Sequence, residues 1–195
     1  MNFLKKVDTG IDDLSTIEFT NESLPDNIHD EAIDDFNKGK IIVSSRTKYN
    51  ADLKSEGNID FIFSWAESEG TKKMLELSPF IYTSIKEGTP LFIDEFDSRF
   101  HPLLTKKIVE LYNSIENKKA QLVFITHDTN LLSSDLLRKD QIDFVEKDKY
   151  AASQLYTLVE ISGVRNDASF EKDYIQGKYG AIPFLGDFTN LITFE

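Results

Sequence analysis

Two adjacent carboxylates, Asp94 and Glu95, are the residues of this sequence whose position most clearly indicates chemistry. They follow the short apolar run 91–93, which predicts a strand buried on both faces. Open α/β sheets place ligands at the carboxyl ends of such strands, and two charges buried there are costly unless a cation or a reaction uses them. The first carboxylate could hold Mg²⁺ while the second polarises an attacking water. The alternative is a strand that ends in a solvated acidic turn.

A possible anion site lies near the start of a helix predicted over residues 65–86. Ser68, Glu69, Gly70 and Thr71 combine hydroxyl groups, a glycine that permits close backbone approach and a helix N-terminus. The glutamate disfavours phosphate at this point, and either hydroxyl could instead be an ordinary N-cap. Both interpretations stay open from the sequence.

The two carboxylates belong to a predicted strand–helix–strand unit. A helix is expected over 102–117, and a second buried strand over 120–128 ends in Thr126 and His127. This order implies parallel strands, so His127 should lie at the same sheet edge as the carboxylates. There it could contact a phosphate, or it could simply cap a loop.

Further elements follow from the residue pattern. Residues 40–64 are rich in β-branched residues and predict a hairpin that belongs to a larger sheet, whereas the acidic segment 21–38 predicts a solvated helix and loop. Pro79 should kink or split the helix that contains it. Strand 91–95 is expected to be central. The residues expected in its core are Leu91, Phe92, Ile93, Val123, Phe124 and Ile125.

Composition limits the classes of protein to consider. The 195 residues, 40% hydrophobic, can bury one core, and without cysteine there is no disulfide framework or cysteine-based metal site. A net charge of −12 argues against a surface that grips DNA, although nucleic acid stays open as a partner through a local basic face or another domain. No apolar run approaches a membrane span and no signal-peptide core is present, so we expect a cytoplasmic protein.

In combination, these features resemble the C-terminal half of an ABC-type ATPase head. More closely, the chain is similar to the SMC-like, ABC-type AAA ATPases grouped with abortive-infection and other phage-defence systems. The resemblance covers residues 60–185 well and the first 60 poorly. It is carried by the phrases AESEGTKK, PLFIDEFDSRFHPLL, FITHDTNLL, QIDFVEKD and IQGKYGAIPFL.

The resemblance implies ATP hydrolysis with Mg²⁺. Asp94 matches the Walker B aspartate, a partner of Mg²⁺, and Glu95 matches the catalytic glutamate, the general base for water. His127 matches the switch histidine, which senses the γ-phosphate. These assignments make the chain part of an ATP hydrolase.

The resemblance also implies a homodimer in which ATP bridges two heads. Ser68 and Gly70 match the signature motif, which touches the γ-phosphate held by the opposite protomer. Asp97 and Ser98 fall in the loop that crosses the dimer in related heads. His101 stands where ABC transporters carry the aspartate of that loop. An effector protein is a further partner that the resemblance implies.

The phosphate-binding loop of this superfamily, G-x-x-x-x-G-K-[ST], does not occur in the sequence. The segment Gly177-Lys178-Tyr179-Gly180 lacks the spaced first glycine and the hydroxyl after the lysine. Glu69 also replaces the first glycine of the signature motif. We therefore expect the C-terminal half of a larger ATPase, which is inactive alone and needs a partner that supplies Walker A.

The predicted fold is α/β of the P-loop NTPase type, a mainly parallel sheet flanked by helices with antiparallel strands near the termini. Residues 1–64 should form a partial lid with antiparallel strands and a polar helix. Residues 65–195 should form the C-terminal half of the head, with signature, Walker B and switch histidine.

Other functions remain to be distinguished from an ATPase half. One is a non-enzymatic dimerisation or regulatory module that needs a partner chain for nucleotide binding. Another is an AAA+ motor fragment with Thr126 as a sensor, although such a core has no Ser-x-Gly helix start before Walker B. A nuclease of the overcoming-lysogenization type would need far more chain after His127.

Overall fold

The computed structural model describes residues 10–18, 40–165 and 168–183. The polar helix expected within 21–38 lies outside the described residues. Among the described residues, no helix is both long and apolar enough to cross a bilayer.

The first sheet is antiparallel and has three strands, β1 (Asp13–Glu18), β2 (Lys40–Tyr49) and β3 (Ser55–Ile62), in that order. On β2, Ile41 and Val43 are buried, as expected for one face of a β-branched strand that packs on a core. The hairpin predicted within residues 40–64 is confirmed, and the pairing of β1 with β2 confirms that it belongs to a larger sheet.

Two helices follow the hairpin, the short α1 (Phe63–Ala66) and the long α2 (Glu69–Glu87). Of the two outcomes predicted at Pro79, a kink or a split, the split is wrong, because α2 continues through the proline. Proline cannot donate to the carbonyl four residues earlier, that of Leu75, and this oxygen instead accepts a hydrogen bond of 3.0 Å from the Ser78 hydroxyl. A local side chain therefore replaces the missing backbone donor.

The predicted strand–helix–strand unit is confirmed. β4 (Leu91–Ile93) pairs in parallel with β5 (Leu122–Phe124), and α3 (Pro102–Tyr112) connects them. The helix ends before the predicted residue 117, and Ile115 lies beyond it, exposed. Among the described residues parallel pairing is limited to these two strands, so the expected mainly parallel sheet is reduced to a mixed set of small sheets.

Only one face of the β4–β5 pair is buried by the described residues, which corrects the predicted core. Side chains alternate across a strand, so Ile93 is buried while Phe92, Val123 and Ile125 are 71%, 37% and 63% exposed. The buried face packs against the residues of the main core. These are Met74, Ile81, Ile93, Phe96, Phe100, Ile108, Val109, Tyr112, Leu131 and Leu136.

The C-terminal part has its own aromatic cluster. β6 (Asp143–Lys147) and β7 (Ser153–Thr157) form an antiparallel hairpin, and α4 (Phe170–Ile175) packs beside it. The Phe144 and Tyr174 rings stack with centroids 5.5 Å apart. Tyr179 is buried in the same cluster, and burial raises the pKa of its hydroxyl to about 12. The Gly177–Gly180 segment thus packs a tyrosine into a core.

Candidate functional site

The carboxyl end of β4 runs directly into a turn, residues 94–100, that we call the acidic turn. Two backbone hydrogen bonds of 2.9 Å attach its start to the end of β5, from Ile125 N to the Ile93 carbonyl and from Phe96 N to the Ile125 carbonyl. The Phe96 side chain is 0% exposed and inserts into the core. The turn is therefore fixed at the sheet edge where α/β proteins place ligands.

The two carboxylates of the acidic turn are exposed to solvent. This exposure agrees with the solvated acidic turn that the sequence left open as an alternative, and the energetic cost of burial does not by itself call for a cation. Glu95 instead shows a different feature, a φ of 47°, in the left-handed region that non-glycine residues rarely adopt. Its backbone N–H donates to Asp94 Oδ1 at 2.9 Å. Such strained residues cluster at active sites.

Asp97 connects the acidic turn to the residues that follow β5. Its Oδ1 accepts hydrogen bonds from Thr126 Oγ1 at 2.5 Å and from the backbone N–H of His127 at 3.1 Å. His127 thus lies at the same sheet edge as the carboxylates, as the parallel pairing predicted. Partial burial acts to raise the pKa of the Asp97 carboxyl, but these two hydrogen bonds, together with the backbone N–H of Asp97 and the nearby His127, hold the pKa below its usual value.

This arrangement predicts an acid-sensitive contribution of Asp97 to stability. A depressed folded pKa stabilises the fold above the unfolded carboxyl pKa of about 3.9, and the contribution is lost as the pH falls through the folded value. Asp97→Asn should therefore lower the free energy of unfolding at neutral pH, with a smaller difference from wild type below about pH 3. Urea unfolding at both pH values measures this.

The control for this measurement is Asp52→Asn, which removes the same charge from the exposed loop between β2 and β3. It should leave the unfolding free energy nearly unchanged at both pH values. A constant difference between Asp97→Asn and wild type across the acid range would contradict the role given to the Asp97 hydrogen bonds.

The start of α2 packs against the acidic turn. Ser68 is the N-cap, since its hydroxyl accepts a hydrogen bond of 3.2 Å from Thr71 N. A Cβ at Gly70 would lie 2.6 Å from the carbonyl oxygen of Arg99, so the close approach requires glycine. Glu69 bonds to both Lys72 and Arg99. The signature-like residues and the acidic turn are therefore neighbours within one chain.

Lys73, which follows Gly70 by one helical turn, was not predicted as a site residue. Its Nζ donates to the backbone carbonyls of Glu95 and Ser98, each at 2.8 Å, and lies 4.9 Å from the Phe100 ring centroid. Burial lowers the pKa of this ammonium, although Asp97 and Glu95 oppose the shift. The available signal was spacing, because a residue three positions after Gly70 lies on the same helix face.

A buried carboxylate, Glu67, fixes the start of α2 from the other side. It accepts a hydrogen bond of 2.7 Å from the Ser44 hydroxyl and pairs with Arg46 at 2.6 Å, and both partners lie on one face of β2. The Glu67 side chain is only 2% exposed. This contact was also not predicted from the sequence. The available signal was Arg46, a charged residue within a β-branched strand.

The exposed carboxylates suit Mg²⁺ only in part. Hard oxygen ligands fit this ion, which commonly takes one or two carboxylates and completes its shell with water and substrate phosphates. Across the described ranges no three His, Cys, Asp or Glu side chains form a metal cluster. Asp94 could thus supply one ligand, whereas the sequence offers no phosphate loop to hold the nucleotide.

A comparison with known protein families assigns the chain to one of them. Residues 9–133, more than half of the chain, match the family described as "AAA domain, putative AbiEii toxin, Type IV TA system". The chain belongs to this AAA family, which makes it a P-loop NTPase of the abortive-infection type. The matched range includes the α2 start, the acidic turn and His127. No curated protein matches the chain.

Proposed function

We propose that this chain supplies the water-activating and Mg²⁺-binding side of an ATP-hydrolysing head that works as a sandwich dimer. The observation that supports the proposal most directly is the acidic turn itself. The left-handed Glu95 follows Asp94 at the end of β4, and Asp97 ties the same turn to the backbone of His127. The three groups to which the proposal gives different tasks thus lie at one sheet edge, which supports it.

Each group has a role that its chemistry supports. Asp94 would hold the magnesium ion, whose charge stabilises the phosphate oxygens when it is bound. Glu95 would accept the proton of the attacking water, and its exposure leaves it accessible to that water. His127 would donate a hydrogen bond to the terminal phosphate. The AAA family generally uses ATP and Mg²⁺, which supports this set of ligands.

The second surface of the proposed sandwich is the start of α2. In this arrangement Ser68 and Gly70 would face the terminal phosphate held by the opposite protomer, where a hydroxyl and the helix N-terminus favour an anion. Asp97 and Ser98 would lie near the dimer interface. The phosphate cradle would come from a polypeptide segment with G-x-x-x-x-G-K-[ST], which this sequence does not contain.

We further propose that hydrolysis serves an abortive-infection or phage-defence system, with a separate effector as partner. The support is the description of the matched family as an AbiEii-type toxin domain.

A second candidate function is a non-enzymatic dimerisation or regulatory module. This candidate is favoured by the absence of G-x-x-x-x-G-K-[ST], the usual phosphate cradle of this superfamily, from the sequence.

Calorimetry with Mg-ATP tests the proposal. The chain alone should bind poorly, whereas a mixture with a polypeptide that carries the phosphate loop of this AAA family should bind in a Mg²⁺-dependent manner. Tight binding by the chain alone would mean that it holds a phosphate cradle of another kind. Failure of the mixture to bind at any magnesium concentration would contradict the proposal, whereas binding by the mixture without phosphate release would favour the regulatory module.

A further inference from the structure

The first turns of α2 and the acidic turn contact each other at three points along one helix face. Glu69 pairs with the Arg99 guanidinium at 2.7 Å, and Gly70 lies against the Arg99 carbonyl. One turn later, Lys73 reaches the beginning and the end of the acidic turn. Of these three residues, only Lys73 bonds to the Glu95 peptide. It therefore has the most direct effect on the position of the Glu95 carboxylate.

The Lys73 ammonium holds together two carbonyls that would otherwise repel each other. Its Nζ lies 2.8 Å from both the Glu95 and the Ser98 oxygens, while the Ser98 N–H also donates to the Glu95 carbonyl at 3.0 Å. The charge also lies over the Phe100 ring, with Nζ 4.9 Å from the ring centroid. Hydrogen bonds from a charged donor are stronger than neutral ones, so the ammonium stabilises this turn substantially.

The acidic turn needs such an external contact because of its backbone. Glu95 and Arg99 have φ values of 47° and 66°, and neither is a glycine. A non-glycine residue in the left-handed region is strained and persists only where its surroundings fix it. The peptide carbonyl of Glu95 sits at one of these two positions, and Lys73 bonds to it.

We propose that Lys73 is a positioning residue, which keeps Glu95 in its left-handed conformation and thereby directs its carboxylate toward the attacking water. The inference rests on the proposed function of Glu95. The first residues of α2 would face the opposite protomer's nucleotide. Lys73 would therefore connect this helix to Glu95, the proposed general base of the same chain. Lys73 does not itself touch the reacting atoms.

The adjacent Lys72 offers a matched control. It has the same side chain and charge, lies on the same turn of α2, and bonds to the exposed Glu69 at 2.9 Å rather than to the acidic turn. Exposed pairs of this kind contribute little to stability. Lys73→Met and Lys72→Met therefore remove equal charge from neighbouring positions with different expected effects.

The first readout is amide hydrogen exchange, which is monitored by NMR on the 195-residue chain. Lys73→Met should raise the exchange rate of the Ser98 amide by about tenfold relative to wild type, because it removes the cation that fixes its acceptor. Lys72→Met should leave this rate unchanged. Equal exchange in both variants, or an increase that also includes the β6 and β7 amides, would overturn the positioning role.

The second readout is the steady-state kinetics of the chain combined with the phosphate-loop polypeptide. Lys73→Met should lower kcat about tenfold or more with KM little changed, since a displaced base slows proton removal without altering nucleotide binding. Unchanged kcat would overturn this inference and leave the proposed function standing. If wild type shows no turnover, the proposed function fails, and exchange alone still decides whether Lys73 fixes the turn.

Discussion

Glu95→Gln should abolish nearly all ATP turnover in the chain combined with the phosphate-loop polypeptide, with a decrease of about 10²–10⁴-fold in kcat. The amide has almost the shape of the carboxylate but cannot accept the proton of the attacking water. Because Glu95 is exposed and its backbone N–H bonds to Asp94, the substitution leaves the contacts of the turn in place. Phosphate release under saturating Mg-ATP measures the effect.

The matched control for this substitution is Glu76→Gln, which removes the same charge from an exposed position on α2. It should retain wild-type turnover, and both variants should unfold at the same urea concentration as wild type. Equal turnover in Glu95→Gln and wild type would show that Glu95 is not the base, and the role of the acidic turn would have to be assigned to other chemistry.

Phe96→Ala should have the largest effect on stability among single substitutions in the acidic turn, about 3–5 kcal/mol in the free energy of unfolding. The Phe96 ring is 0% exposed and lies 4.9 Å from the Phe124 ring and 6.5 Å from the Phe100 ring, measured between centroids. Its removal leaves a cavity at the point where the acidic turn joins the core. Urea unfolding of the chain measures the loss.

Phe92→Ala is the control, since it deletes the same side chain four residues earlier on the exposed face of β4. Surface substitutions of this kind change stability by at most about 0.5 kcal/mol. If Phe92→Ala destabilised the chain as much as Phe96→Ala, the assignment of the two faces of β4 would be wrong.

Local signals in the sequence were sufficient for the elements that carry the site. Apolar runs that end in polar residues correctly predicted β4, β5 and their parallel pairing, and this pairing brought His127 to the edge where Asp94 and Glu95 lie. The helix start at Ser68 was also readable, whereas the close approach at Gly70 is to the distant Arg99 carbonyl and not to the anion that the sequence suggested. Pattern alone therefore predicted that the carboxyl ends of β4 and β5 meet.

Contacts between distant residues were not predictable in the same way. Lys73 and Glu95 are 22 positions apart, and Glu67 and Ser44 are 23 apart, so no local periodicity relates them. The exposure of Phe92 was missed for a related reason. An apolar run predicts burial on both faces of a strand. Actual burial depends on which other segments pack against each face, and the described residues cover only one face of β4.

Hydrolysis of ATP by the wild-type chain combined with the phosphate-loop polypeptide, with Mg²⁺ and then with EDTA, tests the central claim most directly. The account predicts phosphate release that requires both polypeptides and stops when the metal is removed, because Asp94 and Glu95 act on a magnesium-bound triphosphate. Release that persists in EDTA, or none at all from a mixture that binds Mg-ATP, would contradict it.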